Sequence, residues 1–177
     1  MKAVLYTYRL LITLALVILV SDQVTKFLIV QWLPEGTYHQ GTLNEPVVVI
    51  PNFFYIVHIT NDGAAWGLFE GYTTILGLLG LVAIGFIIGF RKSLHLERPL
   101  MQVCFGLLIG GILGNMIDRF VYGHVVDFLD FHFGTYRYPS FNIADSGITV
   151  GVAIYVIATL FEGRGTSASS PQPDRPQ

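Results

Sequence analysis

Four stretches of almost uninterrupted apolar sequence, 8–29, 72–90, 100–117 and 143–161, dominate this chain. Each approaches the length a helix needs to cross a bilayer, about 20 residues. Backbone in hydrocarbon must satisfy its own hydrogen bonds, so such stretches admit helices and little else. With 53% hydrophobic and 12% charged residues and a mean hydropathy of +0.59, the chain is too apolar for an ordinary soluble domain. Lys2 and Arg9 precede the apolar run Leu10 to Val20 in the manner of a secretory signal. No small-x-small cleavage site follows, and apolar sequence resumes at Val24, so the first stretch reads as a retained span. A lone cysteine, Cys104, excludes an intramolecular disulfide, and no basic patch suggests nucleic acid.

Charge placement orients the spans. Lys2, Arg9, Arg91, Lys92, Arg98, Arg164 and Arg175 fall on the two tails and the second-to-third connection, which an even number of spans puts on one side. By the positive-inside rule that side is cytoplasmic. Most of the acids fall on the other. The expected architecture is a mainly α membrane protein: four transmembrane helices, a small extracytoplasmic β-cradle, and an interfacial segment between the third and fourth helices. The cradle is expected from the runs Val47 to Ile50 and Phe53 to Ile59 between Gly and Pro punctuation. The aromatic segment 121–139 is expected to lie along the membrane surface, with Asp130 at a solvated interface. Residues 1–162 read as one membrane domain and 163–177, rich in Gly, Ser, Pro and Gln, as a disordered cytoplasmic tail.

Gly106, Gly110 and Gly114 on the third span, and Gly147 and Gly151 on the fourth, recur every four residues and let helices approach closely. The seam is expected to bring Asn115, Asp118 and Arg119 beside Asn142 and Asp145.

Two aspartates stand at the mouths of these spans, Asp127 between Val126 and Phe128, and Asp145 in Phe141-Asn142-Ile143-Ala144-Asp145-Ser146-Gly147. Ionisable groups at such depth usually mark function. Two carboxyls held close share one proton and supply a base and an acid together, and apolar neighbours raise the pKa of such groups further. Asp22 and Lys26, four apart on one helical face, form a candidate ion pair. Asn115 and Arg119 also share a face, and the arginine needs a carboxylate or carbonyl partner, in a catalytic loop or in a substrate backbone. Asn61 precedes a Gly/Ala turn and reads equally as a turn residue. From these residues alone three readings stay open. One is a carboxylate hydrolase. The second is a metal-dependent transferase built on Asp118, Asp127, Asp130, His124 and His132. The third is a proton-coupled carrier using Asp22, Asp127 and Asp145.

Five segments taken together resemble prolipoprotein signal peptidase, also called signal peptidase II, the bacterial intramembrane aspartyl protease family. They are Ser21-Asp22-Gln23-Val24-Thr25-Lys26, Asn61-Asp62-Gly63-Ala64-Ala65-Trp66-Gly67, Gly110 through Arg119, Val126-Asp127-Phe128, and Phe141 through Asp145. They follow the family's order and spacing from about Leu5 to Phe161. The resemblance implies cleavage of signal peptides from diacylglyceryl-modified prolipoproteins, on the amino side of the lipidated cysteine, at the outer face of the bacterial cytoplasmic membrane, with both termini cytoplasmic. It puts Asp127 and Asp145 at the catalytic positions. It matches Asp22, Lys26, Asn61, Gly111, Asn115, Arg119, Asn142 and Ala144 to positions that bind substrate or shape the site. It implies no metal or other cofactor, membrane lipid as a partner, globomycin-type inhibitors and a monomer. Trp66 stands where the family more often has phenylalanine. Asp130, His124 and His132 match no catalytic position.

Overall fold

The computed structural model describes residues 6–37, 44–64 and 68–166, the last five of these by backbone alone. Lys2, Trp66 and the tail from residue 167 lie outside the described residues. Four long helices lie among the described residues: α1 (Arg9–Trp32), α2 (Thr73–Gly89), α3 (Pro99–Val121) and α4 (Ile143–Thr166). Three are long and apolar enough to cross a membrane, and α2, at 17 residues, sits at the short end of the spanning range. The helices outrun the apolar stretches at the site end, α1 to Trp32 and α3 to Val121, because a helix continues through polar residues that find partners. At the other end α4 continues to Thr166, so the first four residues expected in the tail are helical.

Helix α3 is the central post and packs most extensively against α1 and α4. Its glycine row faces α1 rather than α4: a Cβ at Gly110 would come within 2.7 Å of the Ala15 carbonyl oxygen, and one at Gly106 within 2.9 Å of that of Leu11. Against α4 the close approach is made by Gly111, under the Ala144 carbonyl, and by Gly151 of α4, whose Cβ would lie 2.6 Å from the Cys104 carbonyl. The expected neighbourhood of α3 and α4 therefore forms, but through Gly111 and the fourth-helix glycines. The reason is that positions 110 and 111 are about 100° apart on a helix and address different neighbours.

The connections at one end of the bundle build a single antiparallel sheet, in the order β1 (Val47–Ile50), β2 (Phe54–Asn61), β3 (Val125–Phe133), β4 (Tyr136–Arg137). The segment 121–139 supplies the third and fourth strands of the cradle, β3 and β4. Its run Val125-Val126-Asp127-Phe128 is buried on both faces, and a strand so placed reads as a continuous apolar run rather than an alternating one. Stacked rings of Phe54 and Phe131, centroids 4.5 Å apart, and of Phe131 and Phe141, 5.8 Å apart, fasten β2, β3 and the approach to α4. His58, 5% exposed, meets the Leu33 carbonyl through Nδ1 at 2.8 Å and ties the end of α1 to the sheet.

Candidate active site

The two aspartates reach the site from different kinds of structure. Asp127 is the third residue of β3, 3% exposed. Asp145 lies in the first turn of α4, where the partial positive charge of the helix start favours a carboxylate. That turn is a reciprocal cap. The Asp145 N–H donates to Asn142 Oδ1 at 2.9 Å, and the Asn142 N–H donates to Asp145 Oδ2 at 3.2 Å, the capping-box arrangement with Asn and Asp in its two positions. Asn142 spends its amide on the other aspartate: Nδ2 donates to Asp127 Oδ1 at 2.8 Å. One fully buried asparagine therefore holds both carboxylates.

Asn61 closes on Asp127 from β2. Its Oδ1 accepts the Gly63 N–H at 3.0 Å, which leaves Nδ2 to donate to Asp127 Oδ2 at 3.0 Å. The turn role and the site role are the same geometry. Burial, followed by repulsion from Asp145, pushes the Asp127 carboxyl up from 3.8 to about 7, against the opposing hydrogen bond from Asn61.

Beneath the pair lies a buried charge cluster. Lys26 Nζ meets Asp22 Oδ2 at 2.8 Å, Asp118 Oδ2 at 2.7 Å and Asn115 Oδ1 at 3.0 Å. A lysine only donates, so Asn115 must turn its oxygen to Lys26 and its Nδ2 to Asp145 Oδ1, 2.6 Å away. Asp22 Oδ1 accepts the Ala144 N–H at 2.9 Å and binds α1 to the start of α4. Arg119 settles between its two expected partners on the loop: Nη2 donates to the Gly63 carbonyl at 2.9 Å and Nη1 to that of Asn115 at 3.3 Å. Its buried Nε has no protein partner among the described residues. Gly111 and Ala144 touch where α3 and α4 are closest.

All ten residues singled out from the sequence therefore converge. Asp118, expected at the seam but given no role in the site, completes the Lys26 cluster three residues after Asn115 on the same helical face. Gln23 was missed: its Nε2 donates to Asp118 Oδ1 at 2.8 Å. Asp130 corrects an expectation: it is not solvated but 1% exposed, held by Arg137, His132 and Ser140. An aspartate in an aromatic strand reaches such depth only when cations and hydroxyls meet it there. With Asp118 on Lys26 and Asp130 on Arg137, the acids of the metal-transferase reading do not converge. No group of three or more His, Cys, Asp or Glu arranged to hold a metal occurs among the described residues.

A cleft of about 530 Å³ opens over the pair. Its polar floor is Asn61, Asn115, Arg119, Asp127 and Asp145, and its walls are Phe131, Phe133 and Phe141 on one side and Ile148 and Val150 of α4 on the other. Val150, one of these lining residues, is 48% exposed.

The family described as Signal peptidase (SPase) II matches residues 14–161. A lipoprotein signal peptidase of Staphylococcus carnosus (strain TM300) is 39% identical over 163 residues, 92% of this chain and 96% of its own length. One of Bacillus pumilus (strain SAFR-032) is 39% identical over 157 residues, 89% and 96% of the two chains. Among solved structures, a bacterial membrane enzyme determined by the in meso method at 2.3 Å resolution superposes with a TM-score of 0.79 at 34% identity, covering 92% of this chain and 94% of its own. A second bacterial membrane enzyme, at 1.9 Å resolution, gives a TM-score of 0.73 at 37% identity, covering 85% and 92%.

Proposed function

Since the chain belongs to the signal peptidase II family, whose members remove signal peptides from prolipoproteins, we propose that it is an aspartic endopeptidase in which Asp127 and Asp145 are the catalytic pair. The observation that carries this is the single buried Asn142 gripping both carboxylates at the floor of a cleft. The pair holds one proton, and the elevated Asp127 is the member that keeps it. Asp145, the base of the pair, removes a proton from water, which attacks the scissile carbonyl. Asp127 protonates the carbonyl oxygen, giving a tetrahedral gem-diol; Asp145 then passes the water proton to the amine nitrogen, and as the C–N bond breaks a gem-diol hydroxyl returns its proton to Asp127. No covalent intermediate forms, and the water proton ends on the leaving amine.

The rest of the constellation serves this pair. Asn115 and Asn61 orient Asp145 and Asp127. Lys26, Asp22 and Asp118 fix Asn115 and the start of α4. Arg119 pins the Gly63 loop and offers Nε to a substrate carbonyl. Gly111 and Ala144 set the helix spacing. The substrate is a prolipoprotein whose cysteine carries a diacylglyceryl group, cut on the amino side of that cysteine. Its peptide lies across the polar floor while its acyl chains leave between the aromatic wall and α4 into lipid, a route supported by the apolar lining residues Ile148 and exposed Val150 of α4. The active site lies at the outer face of the bacterial cytoplasmic membrane with both termini inside, as the Lys and Arg bias requires. Residues 1–162 make one protease domain, monomeric and open to globomycin-type inhibitors, and the residues beyond it are a dispensable tail.

The test is cleavage by purified protein of a synthetic prolipopeptide with and without its diacylglyceryl group, each with and without chelator. The lipidated peptide alone should be cut, at the cysteine and equally in chelator. Equal cleavage of both peptides would remove the lipid from the specificity. Loss in chelator restored by magnesium would replace the dyad by a metal.

A further inference from the structure

Asp127 and Asp130 lie three residues apart on β3 and so point to opposite faces of the strand. Val125, Asp127, Phe131 and Phe133 line the cleft, whereas Asp130 and His132 do not. Yet Asp130 is buried, 1% exposed, against 3% for Asp127. Both its oxygens are occupied. Arg137 of β4 donates from Nε to Oδ1 at 2.8 Å and from Nη2 to Oδ2 at 2.7 Å, a two-pronged grip that fixes orientation as well as charge. His132 Nε2 meets Oδ2 at 2.7 Å, and the Ser140 hydroxyl donates to Oδ1 at 3.1 Å.

Those partners lie along the eighteen-residue excursion that begins at Asp127 and returns at Asp145. Its last part, Tyr138-Pro139-Ser140-Phe141, is the rim of the cleft. The rim is anchored at its ends, by the Tyr138 N–H on the Phe131 carbonyl at 2.9 Å and by the Phe141 N–H on the Leu129 carbonyl at 3.1 Å. Between them Pro139 has no N–H to give, and Ser140 is held through its hydroxyl to Asp130.

We propose that Asp130 is a positioning residue: from behind the strand that carries Asp127 it clasps the rim 138–141 through Arg137 and Ser140, and thereby sets how tightly the substrate is held. The inference rests on the proposed peptidase reading, since it needs a substrate in the cleft. It assigns no chemistry to Asp130. A clasp that shapes the ground-state site affects binding of substrate and transition state alike, so its loss raises KM and leaves kcat nearly unchanged. A mere strut would lower thermal stability with no such split.

Steady-state cleavage of the diacylglyceryl prolipopeptide, with a melting curve for each variant in the same detergent, tests this. Arg137→Gln should raise KM about tenfold with kcat within about twofold, as expected for losing hydrogen bonds to a buried charge. Ser140→Ala should raise it about threefold by the loss of one bond among several. Arg137→Lys, which keeps the charge without the fork, should fall between wild type and Arg137→Gln. Asp130→Asn should match Arg137→Gln, and the double variant should add little. If Asp130→Asn fails to fold, the Arg137 and Ser140 variants decide the matter. Unchanged KM in folded Arg137→Gln, or a fall in kcat alone, overturns the clasp. Asp127→Asn assayed in parallel separates the two ideas: full cleavage there would sink the dyad while the KM ladder still reads the clasp. No cleavage by the wild-type protein would take down both.

Discussion

Gly111→Ala is the substitution whose consequence follows most directly from the packing. A Cβ at that position would overlap the Ala144 carbonyl oxygen and lie 2.8 Å from Ile148 Cγ1. The isoleucine tip can turn aside, but the carbonyl is backbone in the first turn of α4. Carbon and carbonyl oxygen sit no closer than about 3.3 Å in ordinary contacts, so α3 and α4 must part there by about 1 Å. Asp145 is the next residue. Its bond from Asn115 of α3, 2.6 Å long, would stretch past hydrogen-bonding range, and the Asp22 bond to the Ala144 N–H would be strained with it. Overpacking of this kind destabilises by about 1–3 kcal/mol, while a displacement of about 1 Å at a reacting group lowers turnover by about 100-fold. The expected result is therefore a folded protein with kcat/KM near a hundredth of wild type on the lipidated peptide. Gly151→Ala is the matched control. It meets a backbone carbonyl at 2.6 Å, but two turns further from the dyad, and should lose stability with a much smaller loss of turnover. Gly85→Ala, with nothing within 4 Å, should change neither. Gly111→Ala within about threefold of wild type, or Gly151→Ala equally inactive, would refute the claim that helix spacing at Ala144 places Asp145; the factor of three is about 0.65 kcal/mol of barrier.

The remaining predictions concern the pair itself. Asp127→Asn and Asp145→Asn should each nearly abolish cleavage, with the double variant hardly worse, since the two act as one device; independent factors that multiply would contradict a shared proton. On pH, Asp127 is protonated below about 7, so log kcat/KM should fall as pH rises through that value. Because the folded pKa is raised above the ordinary one, the group's contribution to stability is full below about pH 4 and is lost as pH climbs to about 7. Removing the Asn61 donor by Asn61→Leu should move the alkaline limb of the activity profile upward, and a limb that stays or moves down would count against Asp127 as the proton holder. Arg119→Lys keeps charge but not the planar fork that reaches the Gly63 and Asn115 carbonyls together; it should lose most activity, and full turnover would reduce Arg119 to a surface charge.

Much of the site was legible because its residues are polar where sequence is otherwise apolar. Lys26, Asp22 and Asn115 had to be satisfied somewhere inside, and helical spacing put them on shared faces. What was not legible was which partner each face meets. The row Gly106, Gly110, Gly114 announces a close helix contact without saying with which helix. The run Val125 to Phe128 does not announce itself as a strand, because a strand buried on both faces lacks the alternation that marks a half-buried one. Asp130 was misplaced for the same reason: its partners Arg137 and Ser140 lie across a hairpin, and no local spacing rule connects them. The Asn142-x-x-Asp145 cap, by contrast, is written in four consecutive residues.

Helix α2 contributes no residue to the hydrogen-bond network around the aspartates among the described residues, and only Gly77 and Ile87 of it are buried. It touches α3 through small contacts such as Gly77 against the ring of Phe120. Its indispensable property is direction. The sheet's first two strands and the ends of α1 and α3 all lie at the site, so after β2 the chain must travel to the far end of the bundle before α3 can run back toward Asn115 and Arg119. Helix α2 is that return journey. Almost any apolar helix of similar length, glycine-notched where it meets α3, could make it. This helix should accumulate substitutions faster than the other three while its deletion, which would invert the path of everything after it, should be intolerable.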